Sequence, residues 1–503
     1  MSALLPDGLD QSTWKQALRA LEAAVGSAGL TTEPAELREY RDPYGAQGGD
    51  EFDASAVVLP ATVEQVQAVV RAANEFHFPL WTFGCGRNYA YGGPAPRVRG
   101  SVLVNLRRMN RVLEVDSALA YALVEPGVQF FDLHDHLQAG GHRLWPSLPD
   151  VGWGSVIGNS LEYGRGYTPY GDHASSACGM EVVLPDGDVL RTGMGAMTHS
   201  RSWQLYPHSY GPSLDGLFRQ SNLGIVTKMG VWLMPEPEHY LSGWARISDT
   251  AAIAPVVDAL RALMLEGIIR NCPILGRGLG VGYGKADWQS HRSDWGLRFA
   301  LYGRRELVEA QFAIVRKALT ATPGVSVDFR AFAGCDRLKA DQTDDMIQSG
   351  VPSLEAFDRF KPYGEHTGHV DLVPVVPFTG EEISASIRRM DALCARYGDD
   401  CHATGILVMG RSAIHATMRF FDTSDPGATA DAYAAHATMA TALAKEGYPF
   451  YRANLRHMDL IADQYDFNSH VQRRITERLK DVLDPGGILS PGKQGIWPRR
   501  PRG

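Results

Sequence analysis

The sequence predicts an α+β protein of two domains, one of them built from both ends of the chain. Three observations lead there. Residues 55–94 read as strand, helix, strand and then a glycine loop. From about residue 237 the texture changes to long strand–helix–strand runs. Glycine loops return at 484–498, after those runs have ended. The expected division is residues 1–236 and 449–503 for the first domain. Residues 237–448 then form an inserted cap of antiparallel sheet plus helices.

The elements follow in order. Trp14, Ala17, Leu18, Leu21 and Val25 recur at helical spacing, which predicts a helix near the start. SAVVLP (55–60) reads as a strand. In TVEQVQAVVRAANEF, Thr62 and Gln65 are spaced for a capping box, and Val63, Val66, Val70 and Ala73 share one face. PLWT is the next strand, and it runs into FGCGRNYAYGGP (83–94). Such a loop can hold phosphate on its backbone N–H groups. It matches neither the dinucleotide fingerprint, whose third glycine is missing, nor the Gly-Lys-Ser/Thr loop. A tight surface turn is the competing reading.

VLVNL (102–106), RVLEVD (111–116) and YALVEPG (121–127) read as strands, and 128–139 as a short helix. MEVVLPDGDVLRTG (180–193) is a hairpin turning at Asp-Gly, and SNLGIVTKMGVWLMP (221–235) a buried strand. Between the 128–139 helix and the 180–193 hairpin lies Trp145–His173, WPSLPDVGWGSVIGNSLEYGRGYTPYGDH. Loops of that length without their own elements are uncommon unless functional. The cap contains RFALYG–helix–VSVDF (298–329) and GHVDLVPVVP–helix–ATGILVMG (368–410), continuing into AIHATMRFFD (413–422). YRANLRHMDLI (451–461) reads as helix. DPGGILSPGKQGIWP (484–498) reads as loops that rejoin the first domain. GRGLGVGYG (276–284) fits no phosphate motif and reads as a loop or poorly packed strand. His134 and His136 sit two apart on a predicted helix and share no face, so no metal site is expected.

Composition narrows the classes. The 503 residues are 44% hydrophobic and 21% charged, with a net charge of −8. No basic run exists beyond Arg499, Arg500 and Arg502, so no nucleic-acid surface is expected. The longest apolar stretch, 251–269, is broken by Asp258, Arg261 and Glu266, so no membrane span is expected. Six scattered cysteines without a CxxC pair indicate neither a zinc site nor a disulfide framework. With no signal-peptide pattern at the start, the expected compartment is the cytoplasm.

Five ordered segments carry a resemblance: GCGRNYAYGG, LPDVGWGSVIGNSLEYGRGYTPYGDH, GHVDLVPVVP, the Tyr451-Arg452 pair, and ILSPGKQGIWP. Together they resemble the vanillyl-alcohol oxidase family of flavoproteins, in particular its 4-phenol oxidizing group, over residues 40–498. The resemblance implies an FAD-binding domain formed from both chain ends, with a cap over the isoalloxazine ring. It implies that Gly84, Cys85, Gly86, Arg87 and Asn88 hold the pyrophosphate. Pro149, Ser155, Gly158, Asn159, Glu162 and Gly166 then line the flavin, with Ile225 and Lys493 from elsewhere in that domain. His369 matches the residue that carries the flavin covalently through its 8α-methyl carbon.

The same resemblance assigns the chemistry. Tyr91, Tyr451 and Arg452 match the residues that bind the phenol oxygen. Two phenolic donors and a permanent cation lower the pKa of a bound phenol and hold it as phenolate. Asp150 matches the carboxylate near flavin N5, and Tyr167 a tyrosine near flavin and substrate. Tyr89, Asp371, Val373, Ile406 and His415 are the implied substrate pocket. Three of these depart from the family pattern: Tyr89 is bulkier, Asp371 replaces a small or apolar residue, and Val373 replaces a common serine. A carboxylate at 371 is able to accept a hydrogen bond from a polar substituent, which is a hypothesis about substrate choice. Tyr44 stands where some relatives have a histidine that activates the flavin-linking one.

The implied reaction is oxidation of para-substituted phenols (4-alkylphenols, 4-allylphenols and 4-hydroxybenzyl alcohols). Hydride leaves the benzylic carbon for FAD, a p-quinone methide forms, and O₂ reoxidises the flavin to give H₂O₂. The alternatives are a dehydrogenase passing electrons to a cytochrome, an oxidase of sugars or aldonolactones, and a flavin-binding protein with an inactive pocket. A homodimer or larger assembly is implied.

Overall fold

Two sheets carry the N-terminal part of the chain and a third, larger one carries the middle. The computed structural model describes residues 4–277, 295–357, 366–397 and 403–499. The lead-in helix α1 (Gln11–Val25) starts at Asp10, whose carboxylate accepts from the Thr13 N–H at 2.7 Å. Strand β1 (Leu30–Thr31) and a short helix α2 (Pro34–Leu37) follow, then β2 (Ala56–Val58), α3 (Val63–Phe76), β3 (Leu80–Phe83) and β4 (Val102–Asn105). Thr62 caps α3 through the Gln65 N–H, as its spacing predicts. The four strands form a sheet in the order β1-β2-β4-β3, with β2 and β3 both parallel to β4. Trp14, Leu21, Val66 and Val70 pack with Val102 and Leu80 to close this layer.

The second sheet uses β5 (Val112–Asp116) and β6 (Tyr121–Val124). Helix α4 (Phe130–Ala139), β7 (Leu144–Trp145) and α5 (Val156–Leu161) intervene before β8 (Ala177–Val183), β9 (Val189–Arg191), β10 (Ile225–Trp232) and β11 (Met234–Pro235). The sheet order is β5-β6-β10-β8-β9, all antiparallel, and β7 pairs with β11 apart from it. The stretch read as one long loop, 145–173, therefore contains the end of β7 and all of α5.

The third sheet holds β12 (His239–Ile247), β13 (Ile274–Arg277), β14 (Trp295–Gly303), β15 (Val325–Ala333), β16 (Thr367–Leu372), β17 (Val375–Pro377), β18 (Ala403–Val408) and β19 (Ser412–Asp422). Every pairing in it is antiparallel. Helices α6 (Ile253–Leu265), α7 (Arg305–Thr320) and α9 (Gly380–Ala395) back it, with Val257, Val308 and Ile383 fully buried against Ile406 and Phe299; α8 (Thr343–Gln348) is short. Gly276 and Arg277 of the glycine alternation belong to β13, and the rest of that segment lies outside the described residues.

The chain then adds α10 (Pro426–Lys445), α11 (Met458–Ala462) and α12 (Phe467–Leu483). Tyr451 and Arg452 are not helical, contrary to expectation; the first helical turn begins at Leu455. The final loop pairs with β3: Leu80 and Leu489 form a parallel bridge, the Leu80 N–H donates to Ile488 O, and the Ser490 N–H donates to Leu80 O. Lys480 is fully buried, donates to Asn222 O and Leu489 O, and pairs with Asp484. Cys85, Cys178, Cys272 and Cys335 are free thiols, but Cys394 is disulfide-bonded, which the scattered spacing of cysteines did not signal. Among the described residues, no helix is long and apolar enough to cross a membrane, and no cluster could hold a metal ion.

Candidate active site

A cavity of about 730 Å³ lies between the 83–95 loop, the 149–167 stretch, the inner face of the third sheet and the C-terminal loop. The sequence explains the cradle. Gly86 has φ +69°, a conformation side chains resist. A Cβ on Gly84 would lie 2.6 Å from Pro126 O and 2.8 Å from the Ser155 side chain. Ser155 caps α5, accepting from the Gly158 N–H at 2.9 Å and donating to Pro126 O at 2.7 Å. Arg87 lies 4.7 Å over the Trp153 ring. Lys493 pairs with Glu162 at 2.7 Å. Cys85, Asn88, Pro149, Asn159 and Ile225 also line the cavity.

At the C-terminal end of the cavity, Arg452 stands 5.3 Å over both the Tyr91 and the Tyr451 rings. Its Nε donates to Glu162 O at 2.6 Å, and Gln220 donates to Tyr451 O at 2.8 Å. Burial works against the Arg452 charge, but Tyr451, Tyr91 and Glu162 outweigh it and hold the cation. Burial pushes the Tyr91 hydroxyl well above its ordinary range. Tyr91 therefore stays protonated and can donate a hydrogen bond beside the cation.

Elsewhere on the cavity wall, Tyr167 donates to Asp150 Oδ1 at 2.8 Å. Asp150 is exposed and lines the cavity, whereas Tyr167 is 1% exposed. Burial first, and the Asp150 charge second, raise the Tyr167 hydroxyl well above its usual value, so it remains a donor.

The inner face of the third sheet brings β16 and β19 to the cavity. Asp371 pairs across with Met418, and Met418 and Phe420 line the wall with Asp371 and Val373. His369 is on the same face by the two-residue period. Its Nδ1 meets Asp371 Oδ1 at 2.7 Å, both side chains being buried. The carboxylate can only accept, so His369 Nδ1 donates. This engages one of the two Asp371 oxygens that the sequence reading offered to a substrate. The His369 ring lies 4.6 Å from Tyr89 and 5.1 Å from Tyr44.

Four expected site residues do not line the cavity: His369, buried beside Asp371, and Ile406, His415 and Gly166. Ile406 is fully buried in the core beneath the helices, and its strand neighbours Gly405 and Leu407 line the cavity instead. His415, paired with Ile406 across the ladder, also turns away; its Nδ1 is 2.6 Å from Ser386 Oγ on α9. Strand alternation places both on the helix-backed face. Gly166 is not on the cavity wall either: a Cβ there would lie 2.4 Å from His173 Nε2 and from Ser147 Oγ, so its smallness serves packing. Arg165 and Arg298 line the cavity, and no sequence signal marked them.

Buried histidines surround the site. Burial pushes His173 and His415 down to about 3 and His436 to about 4. The unfolded chain binds these protons near pH 6.5, and the folded chain only far below. Stability should therefore fall as pH drops from 6.5 toward 4, by about 1.4 kcal/mol per pH unit for each histidine. Calorimetric Tm measured from pH 7 to pH 4 checks this; a flat Tm would contradict it.

Residues 54–193 match the family described as FAD binding domain. The 4-cresol dehydrogenase [hydroxylating] flavoprotein subunit of Pseudomonas putida is 34% identical, over 98% of this chain and 98% of its own. The chain belongs to the vanillyl-alcohol oxidase family. The solved structure of 4-ethylphenol oxidase from Gulosibacter chungangensis, as its isoeugenol complex, superimposes with a TM-score of 0.91. It shares 35% identity and covers 99% of this chain and 100% of its own. p-Cresol methylhydroxylase with substrate bound gives 0.91 at 32% identity, over 98% and 99%. This member of the family is an FAD-dependent oxidoreductase, and the glycine cradle at Gly84 and Gly86 fits that cofactor.

Proposed function

We propose that the protein oxidises para-substituted phenols bound as phenolates, with O₂ as the final electron acceptor and H₂O₂ as its product. The observation that carries this is that the Arg452, Tyr91 and Tyr451 cluster and the Asp150–Tyr167 pair share one cavity. The relatives named for 4-cresol and 4-ethylphenol support the substrate class. FAD supplies two-electron hydride acceptance when bound. Arg452 stabilises the phenolate, and the protonated Tyr91 hydroxyl donates to its oxygen. Electrons pushed from that oxygen make the benzylic carbon a hydride donor, leaving a p-quinone methide. Asp150, steadied by Tyr167, takes the proton from water attacking the methide or from a benzylic alcohol. Tyr89, Asp371 and Val373 bound the space for the para substituent. An oxygen-electrode screen of 4-alkylphenols, with peroxide measured, tests the reading; no oxygen uptake with any of them would remove it.

The division of labour we assign is an FAD-binding domain from 1–236 and 449–503, under a cap of 237–448. It is supported by confinement of the third sheet to the middle of the chain and by the Leu80–Leu489 bridge. We assign covalent attachment to His369. Its Nδ1 donates to Asp371, which leaves the lone pair on Nε2 for a bond to carbon. The wild-type polypeptide should keep its flavin through acid precipitation, and His369→Ala should release it. Asp371→Ala should slow attachment about tenfold, the scale on which loss of an orienting partner acts at metal-binding histidines. Attachment at the wild-type rate would remove that role for Asp371.

A cytochrome-linked dehydrogenase is the second reading, favoured by the name of the Pseudomonas putida relative. Anaerobic reduction followed by air separates the two, since slow reoxidation would favour the dehydrogenase. The tyrosine–arginine cluster speaks against a sugar or aldonolactone substrate, which has no phenolic oxygen to ionise.

A further inference from the structure

Arg298, on β14, carries a buried charge that the mechanism above does not use. It is 1% exposed and lines the cavity. Nη1 forms an ion pair with Asp344. The guanidinium carbon lies 4.2 Å from the centre of the Tyr167 ring. Nε and Nη2 have no hydrogen-bond acceptor among the described residues. Buried donors without acceptors are costly to keep, and the π face of Tyr167 is the electron-rich surface this cation rests on.

Tyr167 is gripped from the same side of the molecule at a second point. Its carbonyl oxygen accepts from Asn271 at 3.2 Å and from the Tyr302 hydroxyl at 3.3 Å. Its own hydroxyl reaches Asp150. A connected path thus runs Asp344, Arg298, Tyr167, Asp150. Arg298 and Asp150 also attract each other directly, and Tyr89, from the glycine loop, and Cys272 act on the Tyr167–Asp150 pair as well. The Arg298→Met/Tyr167→Phe double variant separates the direct attraction from the route through Tyr167, since only the latter is lost with Tyr167→Phe.

We infer that Arg298 is a positioning residue for Asp150, acting through Tyr167. The fixed cation draws electron density from the Tyr167 ring and strengthens its O–H as a donor. It also holds the ring in the one orientation that points the hydroxyl at Asp150. A displacement of the carboxylate by about 1 Å is enough to cost on the order of a hundredfold in rate. The inference rests on the reading of Asp150 as the group acting at the benzylic carbon.

The test uses the flavin-loaded enzyme and the variants Arg298→Met, Arg298→Lys, Tyr167→Phe and the Arg298→Met/Tyr167→Phe double variant. Two quantities are measured. One is the limiting rate of anaerobic flavin reduction by a 4-hydroxybenzyl alcohol, the substrate whose hydroxyl proton Asp150 takes. The other is the dissociation constant of 4-tert-butylphenol, which has no benzylic hydrogen, read from the flavin absorbance. Arg298→Met should lower the rate about 10- to 100-fold while the dissociation constant stays within about twofold of wild type. Arg298→Lys should recover part of the rate, and the double variant should be no slower than Tyr167→Phe alone.

A rate within twofold of wild type for Arg298→Met, equal losses in rate and binding, or multiplying effects in the double variant would overturn the inference. If Arg298→Met does not fold, Arg298→Met/Asp344→Asn removes both members of the buried pair and takes its place in the same comparison. Asp150→Asn is measured alongside. Wild-type reduction by Asp150→Asn would remove the underlying reading and this inference with it. A slow Asp150→Asn beside a fast Arg298→Met would remove this inference alone.

Discussion

Asp150→Asn should slow anaerobic reduction of the flavin by a 4-hydroxybenzyl alcohol about 100- to 10,000-fold, the range for loss of a positioned general base. The amide keeps the shape of the carboxylate and can still accept from Tyr167, now 2.8 Å away. What it cannot do is take a proton. The comparison therefore isolates proton acceptance from packing. Binding of 4-tert-butylphenol should change little, because we place the phenol oxygen at the Arg452 cluster rather than at Asp150. Stopped-flow reduction and a binding titration on one preparation check both halves. Near-wild-type reduction would sink the role given to Asp150.

The second large effect is at Arg452. Arg452→Met should lower kcat/KM for a neutral 4-alkylphenol by on the order of a hundredfold, about 3 kcal/mol, as expected for a charge-assisted bond lost from a buried site. The pH dependence gives the more specific signature. With the cation present, the bound phenol ionises below its solution value. Without it, ionisation returns toward about 10, the value of a free phenol. The variant's kcat should then climb with pH between 7 and 10 where the wild type is already level. Arg452→Lys should fall between them, since Lys keeps the charge but lacks the Nε that anchors Arg452 to Glu162 O. Parallel pH profiles of wild type and Arg452→Met would rule out the phenolate anchor.

Much of this site was readable in the sequence because its parts are local. The capping Thr62, the 83–94 loop and the Asp-Gly hairpin are each set by residues a few positions apart. Side-chain direction within a strand was less secure. Ile406 and His415 were placed on the right strands but the wrong face, and a shift of one residue moves every side chain to the other side. Gly405 and Leu407 show the actual phase. The helix expected at 451–461 failed for a different reason. Gln220 and Glu162, 231 and 290 positions away, hold Tyr451 and Arg452 in a non-helical backbone. No local pattern reports such partners. Arg298 is the extreme case. Within RFALYG it reads as the edge of an apolar strand, and only the packing of β14 over Tyr167 gives it a purpose.

The return of the chain end to β3 also sets an order in time. The loop carrying Gly84, Arg87 and Tyr91 leaves the ribosome some 360 residues before Arg452, tens of seconds at typical elongation rates. Until Leu489 reaches Leu80 and Lys480 reaches Asn222 O, the nascent protein lacks the C-terminal wall of its cavity, and Arg452 with it. Flavin loading should therefore wait until synthesis is nearly complete, and a chain stalled or clipped before residue 450 should emerge colourless.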